Sequence, residues 1–143
     1  MENKIIIPTS AIRDEGTSYH YIEKSDEIVA ETSSVKIAAR CLEKHNIPHI
    51  LGKVWTTDGI YRETPGLIQK RKKQGCLAVD MECSASLAVA KFRNIPIIQF
   101  LFGADNLDAT VWEQRDLTDY GFQSANKYIL LAFELAVAFR KEG

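Results

Sequence analysis

Leu77-Ala78-Val79-Asp80-Met81-Glu82-Cys83 is the stretch from which the rest of the chain is read. A short apolar run ends in acids, and a helical pattern begins at once behind it. Met81, Ala85, Ala88, Val89 and Phe92 fall on one helical face, while Cys83, Leu87 and Ala90 make the other sides apolar too. The pattern predicts a buried strand over 77–79 leading into a central, well-buried helix, which Asn94-Ile95-Pro96 breaks. The next run, Ile97-Ile98-Gln99-Phe100-Leu101-Phe102, is almost wholly apolar and predicts a strand covered on both faces. It ends in Gly103-Ala104-Asp105-Asn106. Two strands thus each carry a carboxylate to their C-terminal end, the edge where open α/β sheets bind ligands.

Working back toward the N-terminus, Lys4 to Thr9 reads as a strand of three isoleucines closed by Pro8. Ser10 to Tyr21 reads as a polar loop with aromatics at its end, either a functional loop or a solvated connection. Ser33 or Ser34 can cap a helix. Val35, Ala38, Ala39 and Leu42 follow at helical spacing, with Ile37 and Cys41 beside them, until Asn46 and Pro48. His49 to Thr57 reads as a strand and Asp58-Gly59 as a turn. Thr64-Pro65 opens a helix to about Gln74, stopped by Gly75. Beyond the second acidic strand end, Asn106 to Arg115 reads as a loop holding Trp112. A last helix spans about Asp119 to Arg140, with Phe122, Ala125, Ile129, Ala132, Phe133 and Val137 as its core stripe. Strand and helix alternate throughout, which predicts an α/β protein.

The totals agree. The chain has 143 residues and 45% hydrophobic content, enough for one domain with a real core. Its formal charge is -1 with scattered Lys and Arg, so composition gives no case for nucleic acid. The run Lys70-Arg71-Lys72-Lys73 reads as the solvated end of a helix, where cations suit the dipole. Cys41, Cys76 and Cys83 are odd in number and have no metal-ligand spacing. They read as buried thiols in a reducing cytoplasm. The start lacks a signal-peptide core, and no apolar run reaches the ~18 residues that span a membrane.

The series strand, Val79-Asp80-Met81-Glu82, helix, strand, Gly103-Ala104-Asp105-Asn106 resembles the nucleoside phosphorylase family, in particular the uridine and purine nucleoside phosphorylases. The resemblance covers nearly the whole chain but only the second half of that family's domain. It implies a three-layer α/β fold, a mixed central sheet flanked by helices. The expectation is one such domain over 1–143, without the family's N-terminal half. Arg13-Asp14-Glu15-Gly16-Thr17-Ser18-Tyr19 is similar to the loop after a mid-domain strand. Thr56-Thr57-Asp58-Gly59-Ile60-Tyr61 is similar to the segment where an aromatic pair lines the base pocket, with Ile60 where relatives often place phenylalanine. Asp80-Met81-Glu82 is similar to the ribose-binding motif, and Asp105 to the acid that faces the base in purine-specific members. Asp108 to Arg115 resembles a loop that closes over the site.

The chemistry implied is cleavage of an N-glycosidic bond, with phosphate as co-substrate or, in nucleosidase relatives, water as the attacking group. No cofactor or metal is implied. Glu82 suits the sugar, because an ionised carboxylate accepts two hydrogen bonds and the ribose 2′- and 3′-hydroxyls donate two. Met81 suits the apolar surface beneath it. Asp105 suits general-acid work on the leaving base. Ile60, Tyr61, Asp80 and Arg115 complete the expected substrate contacts, and Arg13 lies nearest a phosphate approach. The family's phosphate site and its water-activating acid come mostly from the half that this sequence lacks. A homo-oligomer, or a companion chain supplying that half, is therefore expected. Tyr19 and His20 fall where oligomeric relatives pass aromatics across a subunit interface.

Overall fold

The computed structural model describes residues 4–102 and 122–142. Four strands form one sheet: β1 (Ile5–Asp14), β2 (Glu27–Val29), β3 (His49–Thr57) and β4 (Cys76–Asp80). Helices α1 (Thr32–Lys44), α2 (Pro65–Lys73) and α3 (Cys83–Arg93) separate or follow them, and α4 (Phe122–Glu142) ends the described chain. The sheet order is β2-β1-β3-β4. β1, β3 and β4 run parallel, and β2 pairs antiparallel at the edge. The sheet is therefore mixed, as expected for this fold class.

β1 alternates its side chains between two cores. Ile5 and Ile7 pack with Ala38, Cys41 and Leu42 of α1 and with Leu131 and Leu135 of α4. Ile6 points the other way, toward Cys83, Leu87 and Ala88 of α3. A register shift between Pro8 and Ser10 restarts the alternation. Beyond it Ala11 joins the α3 side, while Ile12 packs with Trp55 and Cys76 beneath Leu67 and Ile68 of α2. One helix thus covers one face and three cover the other, giving three layers.

Several expectations change. β1 does not stop at Thr9; it runs to Asp14, because residues 10–12 find partners on both edges, Val29 to Glu27 on one and Lys53 to Trp55 on the other. β2, at three residues, is too short to stand out in the sequence. The predicted strand over 97–102 does not form. It makes one antiparallel bridge, in which Ile6 and Leu101 exchange both backbone hydrogen bonds (2.9 and 2.8 Å). A strand needs a continuous neighbour, and among the described residues this segment meets only the start of β1. Its side chains still divide between the two cores, Ile97 and Leu101 toward α3, Ile98 and Phe100 toward α1 and α4.

Two helices are rotated from their predicted faces. α3 buries Cys83, Ser84, Leu87, Ala88 and Ala90, while Met81 and Phe92 are exposed. α4 buries Leu131 and Leu135, while Ile129, Phe133 and Val137 face outward. Leu131 and Leu135 lie four apart and form the narrow stripe that meets α1, so the outward apolar set misled the reading. The side chains of Phe122 and Ala125 lie outside the described residues. The basic run does end α2, but Arg71 is not solvated. Its side chain is 11% exposed, pairs with Asp14 at 2.8 Å and lies over the Trp55 ring. The three cysteines are buried and reduced. Burial pushes the Cys83 thiol well up, with the Asp80 carboxylate adding to it.

Candidate functional site

Parallel pairing brings the ends of β1, β3 and β4 together, with Asp14 opposite Thr57 and Thr56 opposite Asp80. Everything that follows those strands meets at this edge: the loop from Glu15, the segment from Asp58, and the turn Met81-Glu82 that starts α3. Asp58 ties the first two, accepting the Gly16 N–H at 3.0 Å.

Asp80 organises the third. Its Oδ1 accepts the Thr56 hydroxyl at 2.7 Å. Its Oδ2 accepts the Glu82 and Cys83 N–H groups at 3.0 and 2.6 Å. These are orphan donors at a helix start, so Asp80 is the cap of α3. Both of its oxygens are thereby occupied, which makes it the support of the sugar motif and leaves it little to offer a substrate directly. The Glu82 side chain makes no capping bond, and its carboxylate has no hydrogen bond or ion pair among the described residues. Its carboxylate is exposed at the first turn of the helix, beside Met81, which is 44% exposed.

Behind the turn lies a buried polar chain that sequence reasoning missed. The Ser84 N–H donates to Thr56 Oγ1 at 3.0 Å. The Ser84 hydroxyl donates to Glu15 Oε1 at 2.7 Å. Glu15 Oε2 accepts the Ser18 N–H at 2.9 Å. Burial works to raise the Glu15 pKa, but donors from Ser18, Ser84 and the backbone outweigh it and hold the carboxyl below its ordinary value. The signal available in the sequence was slight: small hydroxyl residues, Thr56 and Ser84, set where the pattern is otherwise apolar.

The other predicted residues are placed as follows. Ile60 and Tyr61 sit in a short 3-10 turn (Ile60–Arg62) at the same edge, and Tyr61 is 96% exposed. Arg13 is buried, its Nε on Ser18 Oγ (2.9 Å) and its Nη1 on the Glu23 carbonyl (2.7 Å) and Ser25 Oγ (2.8 Å). Its guanidinium lies over the Tyr19 ring, 4.1 Å from the centroid. Tyr19 donates its hydroxyl to the Arg13 carbonyl at 3.0 Å. Both residues thus brace the loop that carries Glu15 and the exposed His20. Asp105 and Arg115 lie outside the described residues. Among the described residues no three ligands gather for a metal, and no helix is long and apolar enough to cross a membrane. A separate apolar groove of about 710 Å³, between α1, Pro96 to Phe100 and α4, contains none of the sugar-motif residues.

Known structures share this architecture. AMP nucleosidase from Bacteroides thetaiotaomicron superposes over 97% of this chain and 54% of its own, with a TM-score of 0.70 and 18% identity. Uridine phosphorylase from Vibrio fischeri superposes over 99% of this chain and 53% of its own, at 0.64 and 24%. The P. knowlesi homologue of P. falciparum PNP superposes over 71% and 43%, at 0.61 and 17%. At these identities the likeness establishes the fold. An uncharacterized protein of Acanthamoeba polyphaga mimivirus is 27% identical over 118 residues, 80% of this chain and 44% of that protein. The chain thus spans about half the length of these relatives. The sequence model of one family matches residues 2–132. The sheet, the capped Met-Glu turn at its carboxyl edge and that match have one common account: the chain belongs to the phosphorylase superfamily.

Proposed function

We propose that this protein acts on the N-glycosidic bond of a nucleoside, as the uridine and purine nucleoside phosphorylases do, within nucleoside salvage in the cytoplasm. The observation that carries the reading is Glu82: an exposed, uncapped carboxylate whose turn is held by a second acid, in a chain of this superfamily. Glu82 accepts the ribose 2′- and 3′-hydroxyls, two charge-assisted bonds worth roughly 1.5–3 kcal/mol each. Met81 lies beneath the sugar, and Ile60 and Tyr61 offer one side of a base pocket. Asp105 protonates the leaving base, and Arg115 contacts the substrate. Phosphate is the attacking co-substrate. Tyr19 and His20 reach a neighbouring subunit in a homo-oligomer.

The test is incubation of inosine and uridine with and without phosphate. Free base with ribose 1-phosphate supports phosphorolysis, and free base alone supports hydrolysis. Release undiminished in Glu82→Ala refutes the assignment of the sugar site.

A second reading rests on the same carboxylate, which can hold a nucleoside without cleaving it. On it the chain is a non-catalytic nucleoside-binding or assembly subunit of the same fold. No base released, together with nucleoside binding lost in Glu82→Ala, selects this reading.

A further inference from the structure

The carboxyl edge of the sheet holds one buried acid, Glu15, which accepts an N–H of the 3-10 turn Thr17–His20 and also reaches across to α3. Glu15 is 7% exposed, and both of its oxygens are committed, one to the Ser18 N–H and one to the Ser84 hydroxyl. Among the described residues no cation pairs with it; donors from Ser84, from Ser18 and from the Thr17 backbone offset its burial. A carboxylate in such surroundings is demanding about direction as well as distance, because each misaligned donor leaves charge unsolvated.

Ser84 is fully buried and stands two residues after Glu82, in the first turn of α3. It is held from two sides: its hydroxyl by Glu15, its N–H by Thr56, whose own hydroxyl goes to Asp80. The turn that presents Glu82 is therefore fixed by residues from β3, β4 and the loop after β1. An apolar pair would fill the space between that loop and α3 without desolvating a carboxylate. What the polar contact adds is orientation.

We propose that Glu15 is a positioning residue for Glu82: through Ser84 it sets the first turn of α3 and hence the direction in which the sugar-binding carboxylate points. This rests on the reading of Glu82 given above. A two-pronged hydrogen bond to a diol depends steeply on such alignment.

The experiment compares equilibrium binding of inosine and uridine with that of their 2′,3′-dideoxy analogues, in the wild type, Ser84→Ala, Glu15→Gln and Glu82→Ala. The quantity read is the ratio of the two affinities, since the dideoxy analogues lack the groups that Glu82 accepts. Glu82→Ala brings the ratio near one. Ser84→Ala and Glu15→Gln lower it about tenfold, while affinity for the dideoxy analogues is kept. Loss of both ligands in equal proportion, or an unchanged ratio, overturns the proposal and leaves the sugar site standing. A ratio near one in the wild type, or one unaffected by Glu82→Ala, removes the sugar site and this proposal with it. Amide hydrogen exchange gives a ligand-free check. The Glu82, Cys83 and Ser84 amides exchange faster in Ser84→Ala and Glu15→Gln, with Val54 and Trp55 unchanged. Unaltered exchange at 82–84, or acceleration everywhere, counts against the proposal.

Discussion

Replacing Asp80 by alanine removes the cap of α3 and strands a hydroxyl. The Glu82 and Cys83 N–H groups lose their acceptor, and water can replace it because that side of the turn is open. Loss of such a cap costs about 0.5–2 kcal/mol. Thr56 cannot be rescued in the same way, since it is fully buried and its hydroxyl has Asp80 as acceptor. An unmet buried donor adds about 1–3 kcal/mol. The two effects share one side chain and overlap, so Asp80→Ala is expected to destabilise by about 2–4 kcal/mol, a large part of the roughly 5–15 kcal/mol of an ordinary domain. Asp80→Asn behaves differently. Its carbonyl can still cap the turn, while its amide faces the Thr56 oxygen, so the expected loss is about 1 kcal/mol. Urea denaturation followed by tryptophan fluorescence measures both, with an unchanged slope required for the comparison. Trp55 reports from the strand beside β4. An alanine variant within about 0.5 kcal/mol of the wild type, or an asparagine variant as damaged as the alanine one, refutes the role given to Asp80.

Gly52→Ala drives a Cβ into Leu77 Cδ1 and to 2.9 Å from its Cγ; a loss of about 1–2 kcal/mol is expected, and the double variant with Leu77→Ala should recover part of it, whereas strictly additive losses contradict the clash. The depressed pKa of Glu15 contributes stability that is full above its ordinary value of 4.5 and is lost as pH falls through the lower folded value. Glu15→Gln should therefore flatten the acid limb of a stability–pH curve, and an identical limb in the variant argues against a native-state role for that carboxylate. Buried thiols with raised pKa at Cys76 and Cys83 should resist a disulfide reagent at pH 8 until the chain unfolds; rapid labelling of either in the native protein contradicts their placement. Arg71→Ala removes the partner of Asp14 and the cover of Trp55 together, and should cost about 1–3 kcal/mol by denaturation; a loss matched by that of the exposed Lys70→Ala would mean that Arg71 is merely solvated.

The likeness of this chain to the superfamily was legible because it rides on local signals. The isoleucines of β1, the run His49 to Thr57 of β3 and the step from Val79 through Glu82 into a helix each carry their pattern within a few residues. Of the stripe predicted for α1, Ala38 and Leu42 are buried; Ile37 and Cys41 beside it are buried too, whereas Val35 and Ala39 are half-buried. Glu82 could be singled out for the same reason, since an acid behind a buried strand is conspicuous in the sequence itself.

Other features depend on which neighbour is present, and sequence spacing does not encode that. Residues 97–102 have every local mark of a strand, yet they form a single bridge, because pairing needs a partner edge. The outward apolar set of α4 looks as regular as the buried pair Leu131 and Leu135, and only contact with α1 separates them. Arg71 reads as one more solvated cation until Asp14 and Trp55 close around it. The sequence by itself determined an α/β sheet with an acid-bearing turn at its carboxyl edge, through short-range periodicity and chain reversal. Only the tertiary structure decided that Thr56 is the further donor to Asp80, and that Glu15 and Ser84 stand behind the turn. Those roles are set by hydrogen bonds across as many as 69 residues of chain, which exist once the strands lie side by side.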